Sequence, residues 1–333
     1  MRRPASQDCL VLALALCGAV PALAADAPPA GAPCQQRADS WSSSGPWDTR
    51  KYGNYFLSND NFNNTPGQKL WANSESCWGV VTSATVERSG VGSYPHVVRG
   101  WSQMEGDMRE HSSPGSFDWT RKSGLGIPVD QLKKALVHWS FSAPTGAGAR
   151  WMALIDIYFH RSDEPDPKQF PPQVDLMIDQ ALMDQPLGSA HGNVSTYYGS
   201  VMSESHPFEV TLGGNKYAGY VDSPGESAYH RPGGHTIHLF QLPTSYTGGT
   251  TVNWGAMSAT TDLGAIVRHF TQAAPKDDKG QPLQDATGRT LSVPLFAADL
   301  YLNAINAGWE IDVGTAFRTD DFWIALQDEP NGR

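Results

Sequence analysis

Acidic residues recur in this chain on segments whose alternation reads as β-strand. In Val174–Asp179 the apolar Val174, Leu176 and Ile178 fall on one face of an extended backbone, and Asp175, Met177 and Asp179 on the other. In Trp151–Phe159 the face of Trp151, Ala153, Ile155, Ile157 and Phe159 opposes one formed by Met152, Leu154, Asp156 and Tyr158. In Gly308–Gly314 Trp309, Ile311 and Val313 oppose Glu310 and Asp312. Taken singly, each carboxylate is what the wet side of a sheet carries. Taken together they accumulate, with few cations to pair them: the chain has 24 Lys and Arg against 34 Asp and Glu. Clustered carboxylates shift one another's pKa, so that one holds a proton near neutrality while its neighbour stays ionised. A protonated and an ionised carboxyl flanking one bond is the equipment that cleaves a glycosidic linkage. The 11 Trp and 11 Tyr offer flat apolar rings on which sugars can stack, although most of the Trp are expected in the core.

Other chemistries find less support. The chain has no Gly-x-Ser-x-Gly elbow, no phosphate-binding loop and no dinucleotide fingerprint. His235-Thr-Ile-His238 has no obvious third metal ligand and reads as strand packing. No metal and no organic cofactor is expected. Asn63-Asn-Thr65 and Asn193-Val-Ser195 are formal glycosylation sequons without bearing on mechanism.

The elements that position these carboxylates are strands and turns. Charged residues make up 17% of the 333 residues, below the roughly 25% usual for soluble domains, while Gly (33) and Pro (24) are abundant. This excludes a coiled coil and a disordered chain. A net charge of −10 leaves no basic surplus for nucleic acid. From Tyr52 to Phe159 short runs are broken by turn signals such as Pro66-Gly67, Ser89-Gly90 and Pro114-Gly115, the spacing of an antiparallel sandwich. One segment reads as a helix: Thr260 or Thr261 caps it, Asp262 suits its positive end, and Leu263, Ile266, Val267 and Phe270 recur at helical spacing. Pro275–Gly288 and Glu226–Gly234 read as loops.

Residues 1–24 read as a secretory signal peptide: Arg2 and Arg3, an apolar stretch Cys9–Val20 too short to span a membrane, and the small-x-small site Ala22-Leu23-Ala24. The protein is thus expected to be secreted or periplasmic. Residues 25–50 read as an N-terminal arm and residues 51–333 as a single domain. Cys9 and Cys17 leave with the signal, so Cys34 and Cys77 remain as an even pair in an oxidising compartment, and a disulfide is expected between them.

Four blocks in order resemble glycoside hydrolase family 12, exported endo-β-glucanases and xyloglucanases. Tyr55-Phe-Leu-Ser-Asn-Asp-Asn-Phe62 is similar to the family's Tyr…Asn-Asn-x-Trp block, and Gly92-Ser-Tyr-Pro-His96 to its Ser-Tyr-Pro-Asn block. Asp156 followed by Asp175-Leu-Met-Ile is similar to its Asp…Glu-Leu/Ile-Met-Ile-Trp block, and Ala307-Gly-Trp-Glu310 to its Gly-x-Glu block. The Cys34/Cys77 pair also resembles a disulfide of the family. The resemblance implies an all-β jelly roll of two packed antiparallel sheets with an open cleft. It implies Glu310 as general acid/base, Asp175 as nucleophile and Asp156 as the carboxylate that orients it. It places Phe62, Met177, Asp179, Tyr158 and Asp312 along the substrate. It implies a retaining endo-hydrolase, expected to be monomeric, acting on a β-glucan such as cellulose, xyloglucan or mixed-linkage glucan, with no membrane or nucleic-acid partner.

Three positions depart from the pattern: Asp175 stands for Glu, and Asp179 and Phe62 each stand for Trp. An Asp carboxylate withdraws by about 1–1.5 Å relative to Glu, enough to cost ~100-fold in rate if nothing compensates. Three outcomes stay open: a compensated retaining site, an inverting site with room for a water, and a weakened or purely glycan-binding relative.

Overall fold

The alternating segments form strands of two stacked sheets. The computed structural model describes residues 34–61, 65–83, 93–100, 123–145, 149–165, 172–184, 206–222, 231–242 and 252–329. The expected signal peptide, Phe62 and the two sequon asparagines Asn63 and Asn193 lie outside the described residues, as do the turns at Ser89-Gly90 and Pro114-Gly115. Cys34–Arg333 forms one compact unit.

With strands numbered in chain order, the smaller sheet runs β1 (Trp41–Ser43), β4 (Lys69–Ser74), β5 (Cys77–Val81), β17 (Ala316–Leu326), β8 (Ala135–Ser142) and β15 (Ser258–Asp262). The larger runs β11 (Phe208–Leu212), β12 (Asn215–Val221), β13 (His235–Gln241), β10 (Val174–Asp184), β9 (Arg150–His160), β16 (Tyr301–Val313), β6 (His96–Gly100), β3 (Tyr55–Ser58) and β2 (Thr49–Tyr52). Two short strands join it: β14 (Val252–Gly255) pairs with β10 and β7 (Ile127–Pro128) with β16. This is the jelly-roll sandwich expected, with two differences. β10 and β13 run parallel, so the larger sheet is mixed rather than wholly antiparallel. Strands also begin at Trp41, inside the expected arm: β1 caps an edge of the smaller sheet and β2 an edge of the larger.

The apolar faces read from the sequence meet between the sheets. Ile155, Ile157, Phe159, Val174, Leu176, Ile178 and Trp309 are all buried in one core. Trp309 stands at its centre, with ring centroids 4.8 Å from Trp78 and 5.2 Å from Trp139 of the smaller sheet. Trp139 donates its indole N–H to Thr319 Oγ1 at 3.1 Å, which satisfies the polar atom that burial would strand. The helix α1 (Leu263–Phe270) forms where expected and buries Leu263, Ile266, Val267 and Phe270. Its cap is Asp262, which accepts from Ala265 N at 2.8 Å, while Thr260 and Thr261 belong to β15. The disulfide Cys34–Cys77 is formed, with a Cα–Cα distance of 5.4 Å, and ties the chain before β1 to β5.

Candidate active site

β9 lies between β10 and β16, so residues paired through it form rows across three strands. On the face turned away from the smaller sheet these rows are Asp175–Tyr158–Ala304, Met177–Asp156–Asn306 and Asp179–Leu154–Gly308, followed by Met152–Glu310. Beyond β10 the face continues through Thr236, His238 and Phe240 of β13. The four carboxylates Asp156, Asp175, Asp179 and Glu310 therefore share one sheet face, as the alternation requires.

Asp156 and Asp175 form a pair. Their carboxyls are within hydrogen-bonding reach of one another, and such a contact needs one proton between them. Burial raises both, with relative exposures of 7% and 3%. Repulsion by Asp156, then Asp222, adds to the rise at Asp175. Tyr158 donates its hydroxyl to Asp156 Oδ2 at 2.7 Å, and Asn306 Nδ2 donates to the Asp156 carbonyl at 3.1 Å. The structure thus brings together the two residues that the sequence reading assigned to nucleophile and orienting partner.

It does not bring Asp175 to Glu310. Asp175 pairs with Tyr158 and Glu310 with Met152, six residues apart on β9. That is three side-chain rows, roughly 20 Å along the strand direction. Glu310 stands half-buried, and its carboxyl is pushed up from 4.5 to about 7, first by burial and then by repulsion from Asp156. The carboxylate in the row next to Glu310 on β10 is Asp179, buried to 3% exposure, with no hydrogen-bond partner for Oδ1.

A β-bulge follows Asp179 directly: the register between β10 and β9 shifts between Asp179 and Ala181. The extra residue, Gln180, is fully buried and donates its amide to the carbonyls of Trp139 at 3.0 Å and Ala256 at 2.9 Å. Gly255 makes the bulge possible. Its φ is +86°, and a Cβ there would meet the Gln180 carbonyl at 2.0 Å.

Several neighbours escaped the sequence reading as site residues. Tyr94, which only the Ser-Tyr-Pro block flagged, donates its hydroxyl to the Leu154 carbonyl at 3.4 Å. Burial pushes its phenol well up, followed by the fields of Asp156, Glu310, Asp60 and Asp175. It stacks on His96 at 4.6 Å, and burial lowers that imidazole to about 4. His238, expected as strand packing, is half-buried on the carboxylate face and stacks on Tyr220 at 4.4 Å and 8°. Burial lowers it to about 3, so this is a neutral, flat pair beside Met177. Met177 is half-buried on the same face. Asp312 accepts from Arg150 Nη1 at 2.8 Å in a buried ion pair, a structural engagement for a residue expected along the substrate. Among the described residues no group of three His, Cys, Asp or Glu is arranged to hold a metal, and no helix is long and apolar enough to cross a membrane.

No family model and no curated protein sequence matches the chain. Solved structures do. A family 12 xyloglucanase from Bacillus licheniformis superposes with TM-score 0.56 at 18% identity over 86% of this chain and 100% of that one. Endoglucanase cel12A from Rhodothermus marinus gives 0.55 at 19% over 86% and 99%. The xyloglucanase domain of NopAA from Sinorhizobium fredii, solved with cellobiose, gives 0.51 at 17% over 86% and 99%. The chain is folded as the family 12 glycoside hydrolases are, across nearly the whole of their length.

Proposed function

We propose that the protein is an exported glycoside hydrolase that cleaves internal β-glucosidic bonds of a β-glucan with Glu310 as proton donor. The observation that carries this reading is Glu310 itself. It is half-exposed, stands on the same sheet face as three buried carboxylates, and has a carboxyl raised to about 7. An acid of that kind keeps its proton near neutrality and gives it to a leaving glycosidic oxygen. The second carboxylate, which attacks the anomeric carbon or activates water against it, comes from β10, where Asp175 and Asp179 are the candidates. Half-buried Met177 and His238, whose ring stacks on buried Tyr220, line the same face where a sugar ring would lie. The three structural neighbours are described as xyloglucanases or an endoglucanase, and one holds cellobiose, which supports a β-1,4-linked glucan as the substrate class.

The test is release of reducing ends from carboxymethylcellulose, xyloglucan and mixed-linkage β-glucan, with Glu310→Gln in parallel. We expect hydrolysis of at least one polymer by the wild type and a loss of roughly 100-fold or more in the variant. Equal behaviour of the two proteins on every polymer would remove the hydrolase reading. One observation favours a second reading, a glycan-binding relative without catalysis: the nucleophile implied by resemblance, Asp175, is three rows from Glu310. Saturable binding of a glucan with no release of reducing ends would establish it.

A further inference from the structure

We propose that Asp179, rather than Asp175, is the catalytic carboxylate opposite Glu310. The inference rests on the hydrolase reading above and names the residue that completes it. Asp179 pairs with Leu154, and Glu310 pairs with Met152 two residues further along the same strand. The two Cα positions are thus one row apart along the strands (~7 Å) and two strands apart across them (~10 Å). Side chains that lean toward each other bring the two carboxyls closer than their Cα atoms, toward the ~5–5.5 Å of a retaining pair. Asp175, three rows from Glu310, cannot reach it from its strand position.

Two further features single out Asp179, whose carboxyl, like that of Asp175, is 3% exposed with no hydrogen-bond partner for Oδ1. The bulge at Gln180, held by two amide hydrogen bonds and by Gly255, fixes the backbone just beyond it, and bulges of this kind aim side chains beside active sites. Electrostatics agree with the geometry. After burial, Glu310 is the main group that raises the Asp179 carboxyl, ahead of Asp156, whereas Asp175 is raised by Asp156 and Asp222. Two neighbouring carboxyls hold one proton between them, and the reacting form is the one that keeps it on Glu310.

In the first step a carboxylate oxygen of Asp179 forms a bond to the anomeric carbon as the glycosidic C–O bond breaks, and the Glu310 proton passes to the leaving oxygen. In the second step Glu310, now ionised, takes a proton from water. The water oxygen bonds to the anomeric carbon, the Asp179 ester breaks, and both carboxyls return to their starting states. The Asp156–Asp175 pair, with its shared proton, stands one and two rows away as a hydrogen-bonding partner for the sugar rather than as the attacking group.

The experiment traps the intermediate. Wild-type protein is incubated with 2,4-dinitrophenyl 2-deoxy-2-fluoro-β-cellobioside, and the labelled peptide is fragmented by mass spectrometry to separate Asp175 from Asp179. Label on Asp179, persisting in Asp175→Asn and absent from Asp179→Asn, is expected, together with a loss on the order of 10³-fold or more of glucan hydrolysis in Asp179→Asn. Label on Asp175 overturns this inference and leaves the hydrolase reading standing. Hydrolysis that yields the inverted anomer without any label also overturns it. A wild type that neither hydrolyses glucan nor takes up label removes both readings at once. Because the decisive labelling is done on the unaltered protein, a folding defect in Asp179→Asn cannot stand in for the result.

Discussion

The raised carboxyl of Glu310 makes the stability of the fold depend on pH in a direction that can be measured without any substrate. In the unfolded chain Glu310 ionises near 4.5, and in the folded protein only near 7. Below pH 4.5 it is protonated in both states and contributes no difference. Between the two values the unfolded state loses its proton first, so stability falls as pH rises, and above about 7 the full cost is present. A carboxyl displaced from 4.5 to about 7 corresponds to roughly 3 kcal/mol, which contact of the half-exposed side chain with water reduces to ~1–3 kcal/mol. Glu310→Gln keeps the shape and removes the charge. It is therefore expected to stabilise the protein by ~1–3 kcal/mol at pH 8, about 2–5 °C in Tm for a chain of this size, and by little at pH 4. Urea or thermal unfolding of wild type and variant at pH 4, 6 and 8, followed by tryptophan fluorescence, measures this. An equal Tm difference at all three pH values, or destabilisation at pH 8, would refute the account of Glu310 as a carboxyl held protonated by burial and by Asp156.

Two further outcomes follow from the same structure. Asp156→Asn removes the carboxylate that repels Glu310, so the alkaline limb of the pH–rate profile is expected to move to lower pH, and an unmoved limb would show that burial alone sets the acid. Trp309→Ala empties a fully buried site between Trp78 and Trp139 and is expected to cost ~3–5 kcal/mol in urea unfolding, whereas a loss below about 1 kcal/mol would mean that the sheets repack there.

Much of the architecture is legible from alternation. A period of two in Trp151–Phe159, Val174–Asp179 and Gly308–Gly314 assigns each side chain to a face, and the buried core contains the side chains so assigned. The helix is legible because its apolar spacing is 3.6. Its cap is harder to read, since Thr260, Thr261 and Asp262 are all good caps; pairing of β15 with β8 runs on through Asp262, so the last residue of the strand is also the cap. The parallel pairing of β10 with β13 is not legible, because it depends on where the chain returns after β12. Tyr94 is marked only by the Ser-Tyr-Pro block and His238 by nothing that points to a site; each becomes a site residue through the strand that lies beside it.

The carboxylates themselves were present in the sequence, each on its strand and each on the face opposite the core, because facing is a local property of an extended backbone. What stands opposite what is a different matter. It depends on hydrogen-bond register between strands more than a hundred residues apart in sequence, and on a bulge at Gln180 held by the carbonyls of Trp139 and Ala256. Only the assembled sheet joins Asp175 to Asp156 and sets Asp179 in the row beside Glu310, because register is a property of the whole sheet and of none of its strands alone.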